Sequence, residues 1–128
     1  MRDNTKLRAF RIADDLAMIV YRVTRCFPRE ELFGLTAQIR RSAVSVPSNI
    51  VEGCARSGQA DYLHFLNIAF GSLRELAYQL SLANRLGYLT EDAYRAKDFH
   101  CVEASKVLAA LIRALRNPMK KPGPNTQT

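Results

Sequence analysis

The histidines and the acidic residues near them are the first candidates for metal chemistry in this 128-residue chain. A di-metal site in a helical bundle needs Glu-x-x-His pairs on two helices and further glutamates on two others. The two histidines are His64 and His100, and the one comparable spacing, Asp61 to His64, has Asp in place of Glu. We therefore expect no metal and no cofactor.

Serine and cysteine side chains are the candidates for nucleophilic catalysis. The sequence has no Gly-x-Ser-x-Gly turn and no phosphate-binding glycine loop ending in Gly-Lys-Ser/Thr. Cys26, Cys54 and Cys101 lack Cys-x-x-Cys spacing, and the last two lie on or beside predicted core faces, which indicates inert, reduced thiols. We expect a protein that is not an enzyme.

The distribution of apolar residues bears on where the protein resides. No stretch approaches the run of about 20 uncharged apolar residues that crosses a bilayer. The N-terminus is charged where a signal peptide would need an apolar run. We expect a cytoplasmic protein with no membrane partner.

A line of polar side chains follows the predicted second helix, and a shorter one follows the third. Residues four apart, such as Arg41 and Ser45, share one helical face. The two lines could form a hydrogen-bonded network within or between subunits, or they could form an anion site. We favour the network, because its glutamates would repel a phosphate. Its predicted members are Arg40, Arg41, Ser45, Ser48, Asn49, Glu52, Arg56, Ser72, Glu75 and Gln79.

Basic residues outnumber acidic ones by 19 to 12, which gives a net charge of +7 and favours a polyanionic partner such as RNA or DNA. They cluster near both ends of the chain, and an up-and-down bundle brings those ends together. We interpret this basic rim as a surface that would contact phosphates with weak sequence specificity. A solvated charged end is the alternative. The rim comprises Arg2, Lys6, Arg8, Arg11, Arg113, Arg116, Lys120 and Lys121.

Apolar residues recur at spacings of three and four in four long stretches, which predicts four helices. Their approximate bounds are Ala9–Cys26, Thr36–Arg56, Gln59–Leu86 and Thr90–Arg116. Short connections between such helices predict an all-α, up-and-down antiparallel four-helix bundle. The bundle would occupy residues 9–117, between a flexible N-terminus (1–8) and a disordered tail (118–128) rich in Pro, Gly and polar residues.

Pro47 lies inside the predicted second helix. A proline there lacks an N–H and clashes with the carbonyl of Ala43, which should bend the helix. A break into two helices at Val46 is the alternative. We favour a kink, because the apolar phase is the same on both sides of Pro47.

The second helix also carries a further apolar strip beside its core stripe, formed by Val44, Pro47, Val51 and Ala55. Monomeric proteins rarely expose a contiguous apolar strip of this kind. We therefore interpret it as a subunit interface. The alternative is that a wide stripe serves a thick bundle core.

Two segments, FPREELFGLTAQIRRSAVSVPSNIVEG and FLNIAFGSLRELAYQL, resemble the bacterial 23S rRNA intervening-sequence proteins, and the similarity covers about residues 10–115. The resemblance implies an up-and-down four-helix bundle that commonly forms a homopentameric ring with a central, often basic channel. It supplies no established catalytic residue. A related branch, the accessory proteins of diversity-generating retroelements, binds nucleic acid and reverse transcriptase.

Charge, apolar strip and resemblance together predict a non-enzymatic homo-oligomer, a pentamer, that binds RNA or DNA through its basic surface. The alternative function is a scaffold that docks a protein partner such as a polymerase and has no direct role in nucleic-acid binding.

Overall fold

The computed structural model describes residues 2–117 and contains no strand within them. Each helix packs against the next, and the fourth returns to the first, so the predicted all-α four-helix bundle is confirmed. The predicted tail, with Lys120 and Lys121, lies outside the described residues. The helices are α1 (Arg8–Val23), α2 (Leu35–Cys54), α3 (Gln59–Arg85) and α4 (Glu91–Arg116).

Helix α1 ends three residues earlier than the sequence predicts, and a 3-10 turn, Thr24–Cys26, replaces its last predicted turn. The Thr24 hydroxyl donates to the Val20 carbonyl at 2.8 Å and so occupies an acceptor near the helix end. Phe27 then adopts extended backbone angles, as expected for a residue before proline.

Residues 2–7 make contacts that a flexible N-terminus would lack. Asp3 accepts the Thr5 N–H at 3.0 Å and caps a short 3-10 helix, Asn4–Lys6. The Arg2 N–H donates to the Cys54 carbonyl at 3.1 Å. These hydrogen bonds attach the N-terminal segment to the end of α2.

Helix α2 runs without interruption through Pro47, so it is not broken at Val46. The bend at Pro47 remains a prediction. Pro47 itself is buried inside the subunit, and this corrects its assignment to the exposed interface strip. Around the axis of α2, Pro47 lies close to the core stripe, so the neighbouring helices cover it.

A network of hydrogen bonds joins the α1–α2 and α3–α4 connections. Glu31 lies in a 3-10 turn, Arg29–Glu31, and accepts the Leu35 N–H at 3.0 Å, at the start of α2. The Tyr88 hydroxyl donates to the other oxygen of the Glu31 carboxylate at 2.8 Å. These two bonds lower the pKa of Glu31, because they stabilise its charged form.

The third and fourth helices are bounded as the sequence predicts. Gly87 follows α3 with φ of 85°, a left-handed conformation that glycine adopts without strain. The Thr90 hydroxyl accepts the Ala93 N–H at 3.1 Å and caps α4. Gly87 and Thr90 therefore bound the connection between α3 and α4.

Helices α2 and α3 approach each other closely at Gly53. A Cβ atom on this residue would lie 3.1 Å from the Phe65 Cβ, and 3.3 Å from the Tyr62 carbonyl oxygen. The core face predicted for α3 is buried, apart from Phe65, which is half-buried. The buried members are Tyr62, Leu66, Ala69, Leu73, Leu76, Leu80 and Ala83.

Candidate functional site

The polar lines of α2 and α3 meet within one chain. The hydroxyls of Ser45 and Ser72 are 2.7 Å apart. Asn49 donates from its amide to the Ser45 carbonyl at 2.8 Å and to the Ser45 hydroxyl at 3.0 Å. These contacts join α2 to α3 within one chain.

Beyond the serine pair, the two helices border an open polar groove of about 370 Å³, which we call the α2–α3 groove. A volume of this size lies within the range of small-molecule sites, about 300 to 1,000 Å³. The groove is lined by Gln38, Arg41, Ser42, Ser45, Ser72, Glu75 and Gln79.

Gln79 is the most buried of the predicted polar residues, with 7% of its surface exposed. Its carbonyl oxygen, Oε1, has no hydrogen-bond partner among residues 2–117. An unsatisfied buried acceptor costs about 1–3 kcal/mol. Gln79 is therefore a local weak point in the packing of α2 against α3.

Gln38 and Ser42 line the groove but were not among the predicted network residues. Ser42 donates to the Glu75 carboxylate at 3.4 Å. The two residues are four apart, and Ser45 follows Ser42 by three, so helical spacing could have placed all of them on one face.

Arg40 does not join the network. Its Nε donates to the Thr24 hydroxyl at 2.8 Å, and its guanidinium carbon lies 4.9 Å from the centroid of the Tyr21 ring. Arg40 therefore holds α2 to the C-terminal end of α1. A cation is favourable there, because the last carbonyl groups of a helix carry partial negative charge.

The remaining predicted network residues also lie apart from the groove. Glu52, in the last turn of α2, forms an ion pair with Arg56, which follows the helix end. Ser48 is exposed on the same helix. The predicted stripe thus divides into a groove, a pair at the end of α2, and one exposed serine.

The basic rim is partly assembled around the α2–α3 connection, residues 55–58. The Arg2 guanidinium donates to the Arg56 carbonyl at 2.7 Å and lies 4.0 Å from the centroid of the Tyr62 ring. Burial raises the pKa of Tyr62 to about 12, so this ring stays neutral beside the cation.

The C-terminal end of α4 lies at the same connection. Gln59 donates from its amide to the Leu115 carbonyl at 3.1 Å, and Arg116 donates to the Asn67 amide oxygen at 3.2 Å. Arg113 and Arg116 border a small cleft against α3. Both ends of the described chain therefore flank one loop.

Other rim residues lie further along the bundle. Arg8 is 3.8 Å from the carboxylate of Glu103, a residue thirteen positions before Arg116, or about 20 Å along α4. Arg11 donates to the Thr5 carbonyl at 3.3 Å, and Lys6 is exposed. The six described rim residues therefore do not all lie at the end of α4, because α1 begins beside the middle of α4.

The other predicted interface residues are exposed, in contrast to Pro47. Val44 and Val51 expose 40% and 42% of their surface, and Ala55 is exposed as well. On the neighbouring helix Ile68 and Gly71 are also exposed. The described subunit therefore leaves a strip of small and branched apolar residues uncovered.

The cysteines and histidines differ in how deeply they are buried. Burial raises the pKa of Cys54, and it raises the pKa of Cys101 to about 12. Cys26 is exposed. His64 is exposed, whereas His100 is half-buried and borders a cleft between α1 and α4.

Within residues 2–117 no three His, Cys, Asp or Glu side chains are grouped so that they could hold a metal ion. None of the four helices is both long and apolar enough to cross a membrane.

Comparison with known sequences and structures decides the family. The sequence model described as 23S rRNA-intervening sequence protein matches residues 5–110. The chain belongs to this family. The match includes all of α1, α2 and α3 and most of α4, so the resemblance found in the sequence is confirmed.

A solved structure has a similar fold. It is a protein of unknown function of the S23 ribosomal protein family from Bacteroides thetaiotaomicron, with 28% identity and a TM-score of 0.75. The similarity covers 82% of this chain and 95% of that one. No curated protein matches.

Proposed function

We propose that this 23S rRNA-intervening sequence family member is a non-enzymatic homo-oligomer, a pentameric ring, that binds RNA or DNA through its basic rim. The observation that carries the proposal is that both ends of the described chain bring arginines to one end of the bundle. Arg2 donates to the Arg56 carbonyl in the α2–α3 connection, and Arg116 donates to Asn67 in the first half of α3. Guanidinium groups suit phosphate oxygens, because they donate in a planar fork.

A subunit interface on α2 would bring the basic rims of several subunits together. The exposed strip of Val44, Val51 and Ala55 offers apolar area for a second copy. In a closed ring each subunit presents the same end to the same side. Rotational symmetry would then gather several rims into one positive annulus, which would attract a polyanion more strongly than one subunit does.

Sequence specificity should be weak in this arrangement. The rim carries guanidinium and ammonium groups, which contact phosphates, and contacts to phosphates position a nucleic acid without reading its sequence. Binding should therefore depend on salt concentration and on the number of phosphates contacted.

The nucleic-acid proposal is tested by fluorescence anisotropy with a labelled RNA hairpin at several salt concentrations. The double variant Arg113→Gln/Arg116→Gln should reduce the slope of log K against log[salt] by about 0.7–0.9 for each phosphate that the variant no longer neutralises. The matched control is Arg25→Gln/Arg29→Gln, which removes the same charge near the α1–α2 connection. Equal flattening by both variants would exclude the rim.

The oligomer is tested by light scattering over a range of concentrations. Val51→Asp should dissociate it, whereas Val102→Asp, which changes a residue of α4 with similar exposure (45% against 42%), should leave it intact. A wild-type protein that stays monomeric at every concentration would contradict the proposal.

A protein-docking scaffold is the second candidate function, and one exposed group favours it. Phe33 exposes 94% of its surface and its neighbour Leu32 exposes 49%, both in the α1–α2 connection. Aromatic residues of this kind are common anchors in protein interfaces. A partner that survives nuclease treatment in a pull-down, and is absent with Phe33→Ser, would support the scaffold.

A further inference from the structure

The small cleft beside Arg113 and Arg116, which we call the α3–α4 cleft, lies between the first half of α3 and the last turns of α4. We infer that this cleft accepts one unpaired base of a single-stranded nucleic acid. The inference rests on the proposed function and deepens it, because it states which part of the nucleic acid lies beside the rim. The cleft has a volume of about 210 Å³ and is lined by Asn67, Phe70, Ala109, Ile112, Arg113 and Arg116.

The α3–α4 cleft has an apolar interior and a basic edge. Phe70 and Ala109 are half-buried and Ile112 is buried, whereas Arg113 and Arg116 are both exposed. Among residues 2–117, no carboxylate lines this cleft. An anionic partner is therefore attracted to the edge of the cleft, and an apolar part of that partner fits the interior.

The α2–α3 groove and the cleft between α1 and α4 differ from it in charge. Glu75 lines the groove, and Asp15 and Glu103 line the cleft between α1 and α4. Like charges that are brought together in an interface are costly. Both places are therefore less suited to a nucleic acid than the α3–α4 cleft.

Asn67 holds Arg116 at the edge of the cleft. The Asn67 amide donates to the Leu63 carbonyl at 2.9 Å, one turn earlier on α3, and its oxygen accepts a hydrogen bond from Arg116 at 3.2 Å. A guanidinium has five N–H donors, so this contact leaves others for a phosphate. Arg116 is thus positioned to contact the backbone of a strand whose base enters the cleft.

A base fits the interior better than a phosphate does. A phosphate would lose its water among apolar side chains, and burying a charge in such surroundings is costly. The C-terminal end of α4 also lies beside the cleft, and the partial negative charge of its last carbonyl groups disfavours an anion there. A base is neutral and has flat faces that stack on aromatic rings such as that of Phe70. The phosphates of the same strand would remain in water beside the two arginines.

The size of the cleft and the pairing of bases determine which nucleic acids fit. Its volume is below the range of small-molecule sites, about 300 to 1,000 Å³, so it accepts a single base rather than a whole nucleotide. A base in a duplex is stacked and paired, whereas a base in a single-stranded segment is free to leave the stack. Every base has a flat aromatic face, so the cleft adds a preference for single strands without adding sequence specificity.

The basic rim alone would predict the opposite preference. A duplex carries one negative charge per about 1.7 Å of its axis, a higher density than that of a single strand. Electrostatic attraction therefore favours the duplex, and a preference for the single strand requires a contact to a base. Stacking of one base should increase the affinity at least about fivefold.

Fluorescence anisotropy with three labelled probes of equal length tests the inference. The probes are a DNA strand without self-complementarity, the same strand in a duplex, and a strand whose bases have been removed. The intact strand should bind at least about fivefold more tightly than the duplex. The abasic strand keeps the phosphates and the flexibility of a single strand, and it should lose this preference. Equal affinity for strand and duplex, or for intact and abasic strands, would overturn the inference.

Ala109→Leu assigns the preference to the cleft, because a leucine side chain would occupy its interior without changing a charge. Affinity for the intact strand should fall at least about fivefold, while affinity for the duplex and its salt slope stay those of the wild type. The matched control is Ala110→Leu, at the next residue, which is exposed and does not line the cleft. This control should bind all three probes as the wild type does. Unchanged strand affinity in Ala109→Leu would overturn the inference.

Phe70→Leu separates stacking from packing. The leucine keeps an apolar side chain against the core and removes the aromatic ring, so affinity should fall for the intact strand alone. Phe10→Leu makes the same change at a half-buried residue of α1 that also packs against the core. It should leave strand affinity unchanged, and thermal melting shows that each variant is folded. Equal strand affinities for the two folded variants would contradict a base stacked on Phe70.

The two proposals fail in different ways. Salt-dependent binding of all three probes with equal affinities would reject the base in the cleft and leave the rim. Absence of binding to every probe, and to the RNA hairpin, would reject the rim and the cleft together.

Discussion

Two helical glycines, Gly53 and Gly71, should respond to alanine in opposite directions. At Gly53 an added methyl group would lie 3.1 Å from the Phe65 Cβ and 3.3 Å from the Tyr62 carbonyl oxygen. The Tyr62 oxygen belongs to the backbone of α3, and the Phe65 Cβ is bonded directly to that backbone. Neither atom can move away by rotation of a side chain. At Gly71 nothing lies within 4 Å of the methyl position.

The magnitudes follow from two opposing effects. Alanine favours a helix over glycine by about 1 kcal/mol, and Gly71→Ala should stabilise the subunit by up to that amount. At Gly53 the crowding of α2 against α3 should cost about 1–3 kcal/mol, and the gain in helix propensity is smaller near the helix end. We expect Gly53→Ala to lower the free energy of unfolding by up to about 2 kcal/mol.

Urea denaturation followed by circular dichroism at 222 nm measures both changes. The experiment should be repeated at several protein concentrations, because association stabilises the folded state. A Gly53→Ala variant as stable as Gly71→Ala would refute the close approach of α2 and α3. Weaker self-association of Gly71→Ala, without loss of subunit stability, would place Gly71 in the interface.

Three further predictions concern the thiols, the Glu31 hydrogen bonds and the α4 cap. At pH 8 a thiol reagent such as DTNB should modify Cys26 rapidly and leave Cys101 unreacted until the protein unfolds, because burial raises the pKa of Cys101 to about 12. The hydrogen bonds that lower the pKa of Glu31 stabilise the fold at pH values above 4.5, the usual pKa of this carboxyl group. This stabilisation is lost as the pH falls through the lower pKa of the folded state. Glu31→Gln, and more weakly Tyr88→Phe, should therefore show a shallower loss of melting temperature below pH 4.5 than the wild type; an unchanged profile would contradict this. Thr90→Ala should lower stability by about 1 kcal/mol in the same urea assay, and no change would show that the cap is replaced by water.

The four helices could be predicted from the sequence because their apolar spacing repeats over five to seven turns. The predicted bounds of α3 and α4 agree with the structure to within one residue. The end of α1 could not be predicted, since it depends on Thr24 and on Arg40, sixteen residues later. Contacts between residues so far apart in the sequence do not change the apolar periodicity from which the helices are predicted.

The site was predicted less completely than the fold. Helical spacing identified Ser45, Ser72 and Gln79 as polar residues on facing lines, but it could not distinguish a satisfied serine pair from an unsatisfied amide. That difference depends on the depth at which each side chain lies between the helices. Arg8 was predicted to lie at the end of α4 but lies beside Glu103, in the middle of that helix. The sequence could not show this, because the offset of α1 relative to α4 along the bundle axis depends on packing.

The shared position of the two ends of the described chain, residues 2 and 117, has a consequence for the order of the helices. Arg2 and Leu115 both contact the segment around the α2–α3 connection, so a linker between the ends would cross little of the surface. The chain could then be opened at Phe33, which lies in an exposed turn and exposes 94% of its surface. Such a circular permutant, with α2 first and α1 last, should form the same bundle. The helices of this protein are thus fixed by their neighbours rather than by their order along the chain.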